Sequence, residues 1–469
     1  MPREAMPDVV VLLPGITGSA LHKDGSMVWG WSGKAALKAL WDGGEGMTDA
    51  LALHGDDPAL DDLGDGVTAT KVVPDLHLLP GVWKIDGYTK VAETIRGAFE
   101  VEPGRNFFEF PYDWRRDNRV AARKLARQTH DWLAAWRTTS GNADAKLILV
   151  AHSMGGLVSR YFLEVLGGWK DARALLTFGT PYRGSLNALN TLANGEKKAA
   201  GRIDLSPLVR SLTALYQLLP VYECYDAGDG VLRRVGETDG IPNVDAARAA
   251  AALAFHDEIR DAVARNEQDP AYQRDRYRVF PIVGTHQPTN QSARRNGTGV
   301  EMLGALGGRD LSGDGTVPRV SATPLELSRD RREMYAATRH GSLQNADAAL
   351  TQLHGALSSL YFDLGDFRGE RPAAPVRVGL EVDDVYDAGA PIALGVRTDA
   401  DDLVALEAAI ESADDDALVA RAPLRRVADD RRVAELPPLP EGAWRVRVTG
   451  AGVEPAEDTF VTLGPMAGA

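Results

Sequence analysis

The chain has little cysteine, a shortage of positive charge and no long apolar run. Its 469 residues include one cysteine, Cys224, which excludes an intramolecular disulfide and favours a reducing compartment. No stretch approaches the roughly 18 consecutive apolar residues of a membrane-spanning helix. The first residues lack the basic segment, apolar core and cleavage site of a signal peptide. We therefore expect a cytoplasmic protein, at most peripheral at the membrane.

Acidic residues outnumber basic ones, and the excess is concentrated near the C-terminus. Lys and Arg number 52 against 66 Asp and Glu, and the formal net charge is −14. Residues 366–469 hold 21 acidic residues, 11 Arg and no Lys. Such a surface repels polyanions, so nucleic acid is excluded as a partner and simple electrostatic attraction to anionic lipid is disfavoured.

The strongest signal that is present surrounds a serine. Residues 147–156 read L-I-L-V-A-H-S-M-G-G, an apolar run that ends at Ser153 before an amphipathic helical pattern. A strand, a sharp turn with serine at its apex and a helix form the nucleophile elbow. Ala151 and Gly155 supply the small flanks of such a crowded turn, although alanine replaces the usual first glycine. A serine that merely caps a helix is the alternative.

A nucleophile of this kind requires an acid and then a histidine further along the chain. Residues 310–318 read D-L-S-G-D-G-T-V-P and offer Asp314 in a glycine-flanked turn, and His340 lies in a loop directly before a helical pattern. Two alternatives for this segment are an ordinary β-turn and a calcium loop. Calcium is disfavoured because the twelfth loop position is Ser321 rather than Glu. His152 points the wrong way to serve its neighbour, and we expect no metal or organic cofactor.

Five motifs together resemble one family. They are L-P-G-I-T-G-S at 13–19, F-P-Y-D-W-R at 110–115, A-H-S-M-G-G at 151–156, F-G-T-P-Y-R-G-S at 178–185 and G-D-G-T-V-P at 313–318. In this order they resemble the lecithin:cholesterol acyltransferase family of α/β-hydrolases, which includes related phospholipases and esterases. The resemblance covers residues 8 to about 360 and implies the doubly wound α/β-hydrolase sheet.

The resemblance also implies a role for each matching position. Ser153 would be the nucleophile, Asp314 the acid and His340 the base. The backbone N–H groups of Met154 and Ile16 would form the oxyanion hole. Candidate substrate-contacting residues are Trp29, Trp31, Trp83, Tyr112 and Tyr182. Packing within a cap is the alternative for the tryptophans.

The pattern of apolar residues changes once along the chain. Residues 1–365 alternate strand and helix patterns, interrupted by insertions at 20–86 and 186–275 that we expect to form a cap and lid. Residues 366–375 are typical of a linker. Residues 376–469 show apolar residues with a period of two between turn residues, which predicts an all-β immunoglobulin-like sandwich.

These observations predict a serine hydrolase that acts on carboxylic esters, most of all lipid acyl esters, through an acyl-serine intermediate. Water or an alcohol could accept the acyl group. The alternative is a non-enzymatic or partner-triggered scaffold or effector, whose β-sandwich mediates assembly with a protein partner. The expected ligand of the catalytic region is a lipid or another ester, met in solution or at a membrane surface.

Overall fold

The structure of the chain, a computed structural model, divides into two compact units, Met1–Phe362 and Asp363–Ala469. It describes residues 3–361 apart from 31–44, 75–76, 80–82, 86, 199–202 and 328–332, and residues 378–464 apart from 384, 399–404, 414–416, 429–430, 452 and 454. The predicted linker at 366–375 and the candidate Trp31 lie outside the described residues.

A six-stranded sheet forms the centre of the first unit. Its strands are β1 Val9–Leu13, β2 Phe107–Glu109, β3 Leu147–His152, β4 Ala172–Phe178, β5 Arg278–Gly284 and β6 Met334–Ala336. They lie in the order β6-β5-β4-β3-β1-β2, and every neighbouring pair is parallel. After β1 the chain forms β2, which pairs with one edge of β1. It then forms β3, which pairs with the opposite edge of β1, so the strand order reverses at this point. Ligands bind at such a switch point, beyond the carboxyl ends of the strands.

Both faces of this sheet are buried, which explains why its strands are continuously apolar. In β1, Val9, Val11 and Leu13 belong to one core cluster, whereas Val10 and Leu12 belong to the other. Successive side chains of a strand point to opposite faces, so a strand with a core on each side needs apolar residues at every position.

Helices cover both faces. Asn118–Ser140 and Gly155–Arg160, which continues as the π-helical turn Tyr161–Val165, contribute to the first cluster. Thr89–Ala98 and Asp347–Ser359 contribute to the second. The predicted α/β architecture with a parallel central sheet is confirmed.

The other helical segments of the first unit are Gly168–Asp171, Leu186–Asn194, Ser206–Ser211, Thr213–Tyr216, Val235–Glu237, Ala246–Asn266, Pro270–Asp275, Arg319–Ser321, Leu325–Leu327 and His340–Asn345.

The first insertion holds small antiparallel elements. One sheet contains the strands Ser19–Lys23, Ser26–Trp29 and Val67–Val72. The helix Glu45–Leu51 precedes the third of these strands in the sequence. A separate pair is formed by His77–Leu79 and Trp83–Ile85. The second insertion is mainly helical, as expected. It also contributes the short strands Lys197–Lys198, Ile203–Asp204, Tyr225–Asp226 and Leu232–Arg233; Tyr225–Asp226 pairs with Ser292–Asn296, which pairs in turn with Gly299–Leu303. A lid function for either insertion stays a prediction.

The second unit is rich in β-structure, as its period-two pattern predicts. One sheet contains Val378–Glu381, Ile392–Thr398, Arg431–Leu436 and Arg425–Ala428; the other contains Val385–Asp387, Ala456–Leu463, Gly442–Gly450, Leu406–Ser412 and Leu418–Pro423. Apolar side chains from both sheets share one core, including Leu394, Val446 and Phe460. An immunoglobulin-like topology stays a prediction.

Across the described parts of both units, no helix is long and apolar enough to cross a membrane.

Candidate active site

Ser153 stands at the apex of a sharp turn between β3 and the helix Gly155–Arg160. Its φ of 51° is in the left-handed region, which is unusual for a residue with a side chain. The helix approaches the end of β1 so closely that a Cβ at Gly155 would lie 2.5 Å from the Pro14 carbonyl oxygen. The hydroxyl of Thr180 donates a hydrogen bond of 2.9 Å to the Ser153 carbonyl. The predicted elbow geometry is therefore present, together with the crowding that demands small flanks.

The structure brings Ser153, His340 and Asp314 into one hydrogen-bonded chain. His340 Nε2 lies 2.9 Å from Ser153 Oγ, and His340 Nδ1 lies 2.7 Å from Asp314 Oδ2. A carboxylate only accepts hydrogen bonds, so Nδ1 carries the proton and the lone pair of Nε2 faces the serine hydroxyl. This tautomer is the one in which histidine can take a proton from serine.

The Asp314 carboxylate is held in place from several sides. Its Oδ1 accepts from the backbone N–H of Thr316 at 2.9 Å and of Val317 at 2.7 Å. The backbone N–H of His340 donates to the Asp314 carbonyl at 2.9 Å, which ties the start of the helical segment His340–Asn345 to the Asp314 turn. Asp314 is 1% exposed. These bonds leave Oδ2 for the imidazole and fix the direction in which it points.

A tight turn after β1 faces the serine. The Gly18 N–H donates to the Gly15 carbonyl at 3.1 Å, and Thr17 has a φ of 65°, as the third residue of a type II turn requires. A Cβ at Gly15 would lie 2.9 Å from the Ser153 Cβ, so only glycine permits this approach. The turn leaves Ile16 at its second position, beside the serine.

The two amides assigned to the oxyanion hole are unpaired. Within the described part of the chain, no acceptor takes a hydrogen bond from the N–H of Ile16 or of Met154. Met154 directly precedes the helix Gly155–Arg160, where unpaired N–H groups favour negative charge. The two N–H groups are therefore available to an external acceptor.

A cavity of about 230 Å³ opens at the serine. Its wall includes Ser153 and His340. Apolar lining comes from Ile16, Pro181, Ala188, Leu215, Leu218 and Val317, and hydroxyl-bearing lining from Thr17, Ser185, Thr191 and Thr316. A mainly apolar pocket with a few convergent polar groups is typical of a site for a small organic ligand.

Three candidate substrate-contacting residues, Trp29, Tyr112 and Tyr182, do not line this cavity. Tyr112 is buried and its hydroxyl donates to the Pro14 carbonyl at 2.8 Å. Trp29 donates from Nε1 to the Thr17 carbonyl at 2.8 Å and packs edge-on against Trp114. The Tyr182 hydroxyl pairs with the Thr177 hydroxyl at 2.9 Å. The polar group of each side chain is thus bonded within the protein, and contact with substrate stays a prediction.

Two further candidates cannot be placed as side chains. Trp83 begins the strand Trp83–Ile85, but its side chain, like all of Trp31, lies outside what the structure describes.

Three residues that the motifs did not assign contact the Ser153–His340–Asp314 chain or its supports. Gly179 lies against the carboxylate and imidazole, His152 bonds to the His340 carbonyl, and Tyr88 bonds to His152. Gly179 and His152 lie inside quoted motifs and so carried a signal. Tyr88 lies in no motif, and its position depends on tertiary packing.

In the described ranges, no group of three His, Cys, Asp or Glu side chains is arranged to hold a metal ion.

A family model and several known proteins are similar to part of the chain. The model of the lecithin:cholesterol acyltransferase family matches residues 82–245. Over these residues the chain is similar to that family. The resemblance predicted from the motifs is thus confirmed for residues 82–245. The matched region includes the F-P-Y-D-W-R, A-H-S-M-G-G and F-G-T-P-Y-R-G-S motifs.

Individual relatives agree over a similar length. Lysosomal phospholipase A and acyltransferase of Homo sapiens is 30% identical over 146 residues, which are 29% of this chain and 30% of that protein. The protein of the same name from Rattus norvegicus is 32% identical over 141 residues, again 29% of this chain and 30% of that protein. The aligned part of the chain thus spans about a third of the length of these relatives.

Among solved structures, the mature form of Bacillus licheniformis lipase BlEst2 is similar at 14% identity and a TM-score of 0.34, over 76% of this chain and 96% of that chain.

Proposed function

We propose that this protein is a serine hydrolase that cleaves carboxylic esters of lipids through an acyl-Ser153 intermediate. The observation that carries the proposal is the continuous hydrogen-bonded chain from Ser153 Oγ through His340 to Asp314. Beside it are two backbone N–H groups that have no acceptor among the described residues. Nucleophile, base, orienting acid and oxyanion donors are the complete set of parts for acyl transfer.

The reaction begins when Ser153 Oγ attacks the ester carbonyl and His340 Nε2 takes the hydroxyl proton. The carbonyl oxygen becomes an oxyanion, which accepts hydrogen bonds from the N–H groups of Ile16 and Met154. Each such donor contributes about 3–4 kcal/mol to transition-state stabilisation. Asp314 keeps the imidazole oriented and stabilises its positive charge. Nε2 then returns the proton to the departing alkoxide as the C–O bond breaks, and the acyl group remains on Ser153.

The second half of the cycle releases the acyl group. His340 takes a proton from water, and the resulting oxygen nucleophile attacks the acyl carbonyl. Collapse of the second tetrahedral intermediate breaks the bond to Oγ, which recovers its proton from Nε2. If an alcohol enters in place of water, the product is a new ester. The same residues therefore support hydrolysis and acyl transfer, and the competition between water and alcohol decides the ratio.

Two observations favour lipid esters over small polar esters. The wall of the cavity carries the apolar side chains Ile16, Ala188, Leu215 and Leu218, which can bury an acyl chain. Similar proteins are named phospholipase A and acyltransferase. We infer a fatty acyl ester, with a phospholipid as the first substrate to test.

The test compares fatty acid release from phosphatidylcholine vesicles with hydrolysis of water-soluble p-nitrophenyl butyrate. Ser159→Ala is a matched control for Ser153→Ala, because Ser159 is a buried serine of the helix that follows Ser153, and its hydroxyl donates to the Gly155 carbonyl at 2.8 Å. We expect wild type and Ser159→Ala to release fatty acid and Ser153→Ala to lose at least about a thousandfold in rate. Mass spectrometry of a reaction with added long-chain alcohol measures transfer.

Each other outcome contradicts part of the proposal. Cleavage of the soluble ester alone would exclude a lipid substrate. Absence of both activities in folded protein would favour the non-enzymatic scaffold whose second unit recruits a partner. Equal activity of Ser153→Ala and wild type would remove Ser153 from the reaction.

A further inference from the structure

A buried polar chain runs beside Ser153, separate from the bonds to His340 Nε2 and Asp314. The Gly15 N–H donates to the Tyr88 hydroxyl at 2.8 Å, the Tyr88 hydroxyl lies 2.8 Å from His152 Nδ1, and His152 Nε2 lies 3.1 Å from the His340 carbonyl oxygen. Tyr88 and His152 are 1% and 2% exposed. Buried polar groups are costly unless paired, and here each one has a partner.

The direction of every bond in this chain is determined. A backbone N–H can only donate, so the Tyr88 oxygen accepts from Gly15 and its hydroxyl proton is left for His152 Nδ1. A carbonyl can only accept, so His152 Nε2 carries the proton that bonds to His340. Both nitrogens of a neutral imidazole are thereby used. Burial, and then the neighbouring His340, lower the pKa of His152 to about 3, so its ring stays uncharged at neutral pH.

The two ends of this hydrogen-bonded chain lie at residues that serve the proposed reaction. Gly15 directly precedes Ile16, whose N–H we assign to the oxyanion hole. The carbonyl that His152 holds belongs to His340, the proposed base. His152 itself directly precedes Ser153. One chain of hydrogen bonds therefore links the oxyanion turn, the nucleophile elbow and the loop of the base.

We propose that Tyr88 and His152 are positioning residues, which hold the Gly15–Ile16 turn and the His340 loop in register on either side of Ser153. This inference rests on the proposed hydrolase function. Precise placement matters because a misplacement of about 1 Å can cost on the order of a hundredfold in rate. A neutral ring also matters, since the His152 and His340 ring centroids are 5.0 Å apart and a charged His152 would oppose the imidazolium that forms on His340.

The oxyanion turn packs tightly against this hydrogen-bonded chain. A Cβ at Gly15 would lie 3.1 Å from His152 Nδ1, and one at Gly18 would lie 2.9 Å from the Tyr88 oxygen. The turn is therefore held at its first residue by a hydrogen bond and at its last residue by contact with the same hydroxyl. Loss of that hydroxyl would leave the buried Gly15 N–H without an acceptor, and the turn would shift to find one.

The test removes single hydrogen-bonding atoms and measures kcat and KM for p-nitrophenyl butyrate together with Tm. Tyr88→Phe deletes only the bridging hydroxyl. Tyr272→Phe is the matched control, because Tyr272 is a buried tyrosine whose hydroxyl donates to Glu164 at 3.0 Å, outside the cavity wall. We expect Tyr88→Phe to lower kcat by about 10–100-fold with KM unchanged within about twofold. The control should lose stability without this loss of kcat.

Variants of His152 supply a second readout. His152→Leu removes both bonds, whereas His152→Gln keeps one donor and one acceptor in a neutral side chain. We expect Gln to recover at least about tenfold of the kcat that Leu loses. The double variant Tyr88→Phe/His152→Leu should be no slower than His152→Leu alone, because the two residues act as one unit. If His152→Leu does not fold, Tyr88→Phe and His152→Gln still decide the matter.

Several results would overturn the inference. They are a kcat of Tyr88→Phe within about twofold of wild type, an effect confined to KM, or losses that add in the double variant. These differ from failure of the proposed function itself, in which wild type hydrolyses no ester and the variants have nothing to lose.

Discussion

Gly179 lies directly against Asp314. A Cβ at position 179 would lie 2.8 Å from Asp314 Oδ2 and 2.9 Å from His340 Nδ1, on the hydrogen bond that joins the two side chains. Gly179 also has a φ of 56°, in the region that favours glycine. It follows β4 directly, so the end of a central strand and the proposed acid–base pair fit together only if this position has no side chain.

Gly179→Ala should therefore separate activity from ordinary backbone strain. The matched control is Gly141→Ala, because Gly141 has a φ of 72° and open space around the position of its Cβ. Both variants should lose about 1 kcal/mol or more of stability from the left-handed conformation. Only Gly179→Ala should also lose activity, by about a hundredfold, because its methyl group displaces the imidazole. The prediction would be contradicted if the two variants lost the same fraction of activity for the same decrease in Tm.

Asp314→Asn tests the orientation of the imidazole. An amide can present its NH₂ group to His340, which favours the tautomer with the proton on Nε2 and leaves no lone pair facing Ser153. We expect kcat to fall by about three to four orders of magnitude while the fold persists. Asp310→Asn is the control, since Asp310 lies in the same loop and accepts from Gln291 and the Ser312 N–H instead. A similar, small effect of both substitutions in steady-state assays would exclude Asp314 as the orienting acid.

Ala188→Phe tests the cavity as the site of the acyl chain. Ala188 is buried in the cavity wall, and a phenyl group there would occupy space that the chain needs. We expect kcat/KM for p-nitrophenyl palmitate to fall by about tenfold or more, and that for the acetate to change by about twofold or less. Asn190→Phe places the same group two residues further along the helix Leu186–Asn194, outside the cavity wall, and should leave the ratio unchanged. A uniform loss for both esters would contradict the assignment.

His152 gives stability a defined dependence on pH. Burial lowers its pKa from 6.5 to about 3 in the folded state. Between these values the unfolded chain binds a proton that the folded chain does not, so stability falls as pH falls through this window. From pH 7 to pH 5 the loss from His152 should be roughly 1–2 kcal/mol. Urea unfolding at both pH values measures it.

The control for that experiment is an exposed histidine. His152→Gln should reduce the difference in unfolding free energy between pH 7 and pH 5, whereas His130→Gln on the helix Asn118–Ser140 should not. An identical pH dependence in wild type and His152→Gln would show that His152 is not buried in its neutral form.

Much of the first unit could be predicted from the sequence because its signals are local. The apolar run before Ser153 becomes a strand because a sheet buried on both faces needs apolar residues at consecutive positions. The order of Ser153, Asp314 and His340 along the chain, with the motifs around them, indicated which residues meet. The proximity of the three side chains follows from parallel strands, whose carboxyl ends share one edge of the sheet.

Other features depend on contacts between distant segments and left no local signal. Tyr88 bonds to His152 across 64 residues, and nothing in its own neighbourhood distinguishes it from a core tyrosine. Tyr112 was a candidate for substrate contact, yet its hydroxyl bonds to Pro14 across 98 residues. Aromatic residues near a site look alike in sequence whether they meet a ligand or brace a loop. Only tertiary packing separates these two roles.

The central claim, a nucleophilic Ser153 activated by His340, is tested most directly with a fluorophosphonate probe and mass spectrometry of the labelled peptide. The account predicts one adduct, on Ser153, in wild type and in Ser159→Ala. It predicts no adduct in Ser153→Ala and a rate of labelling at least about a hundredfold lower in His340→Ala. Labelling at another serine, or labelling of Ser153 that is equally fast without His340, would contradict the account.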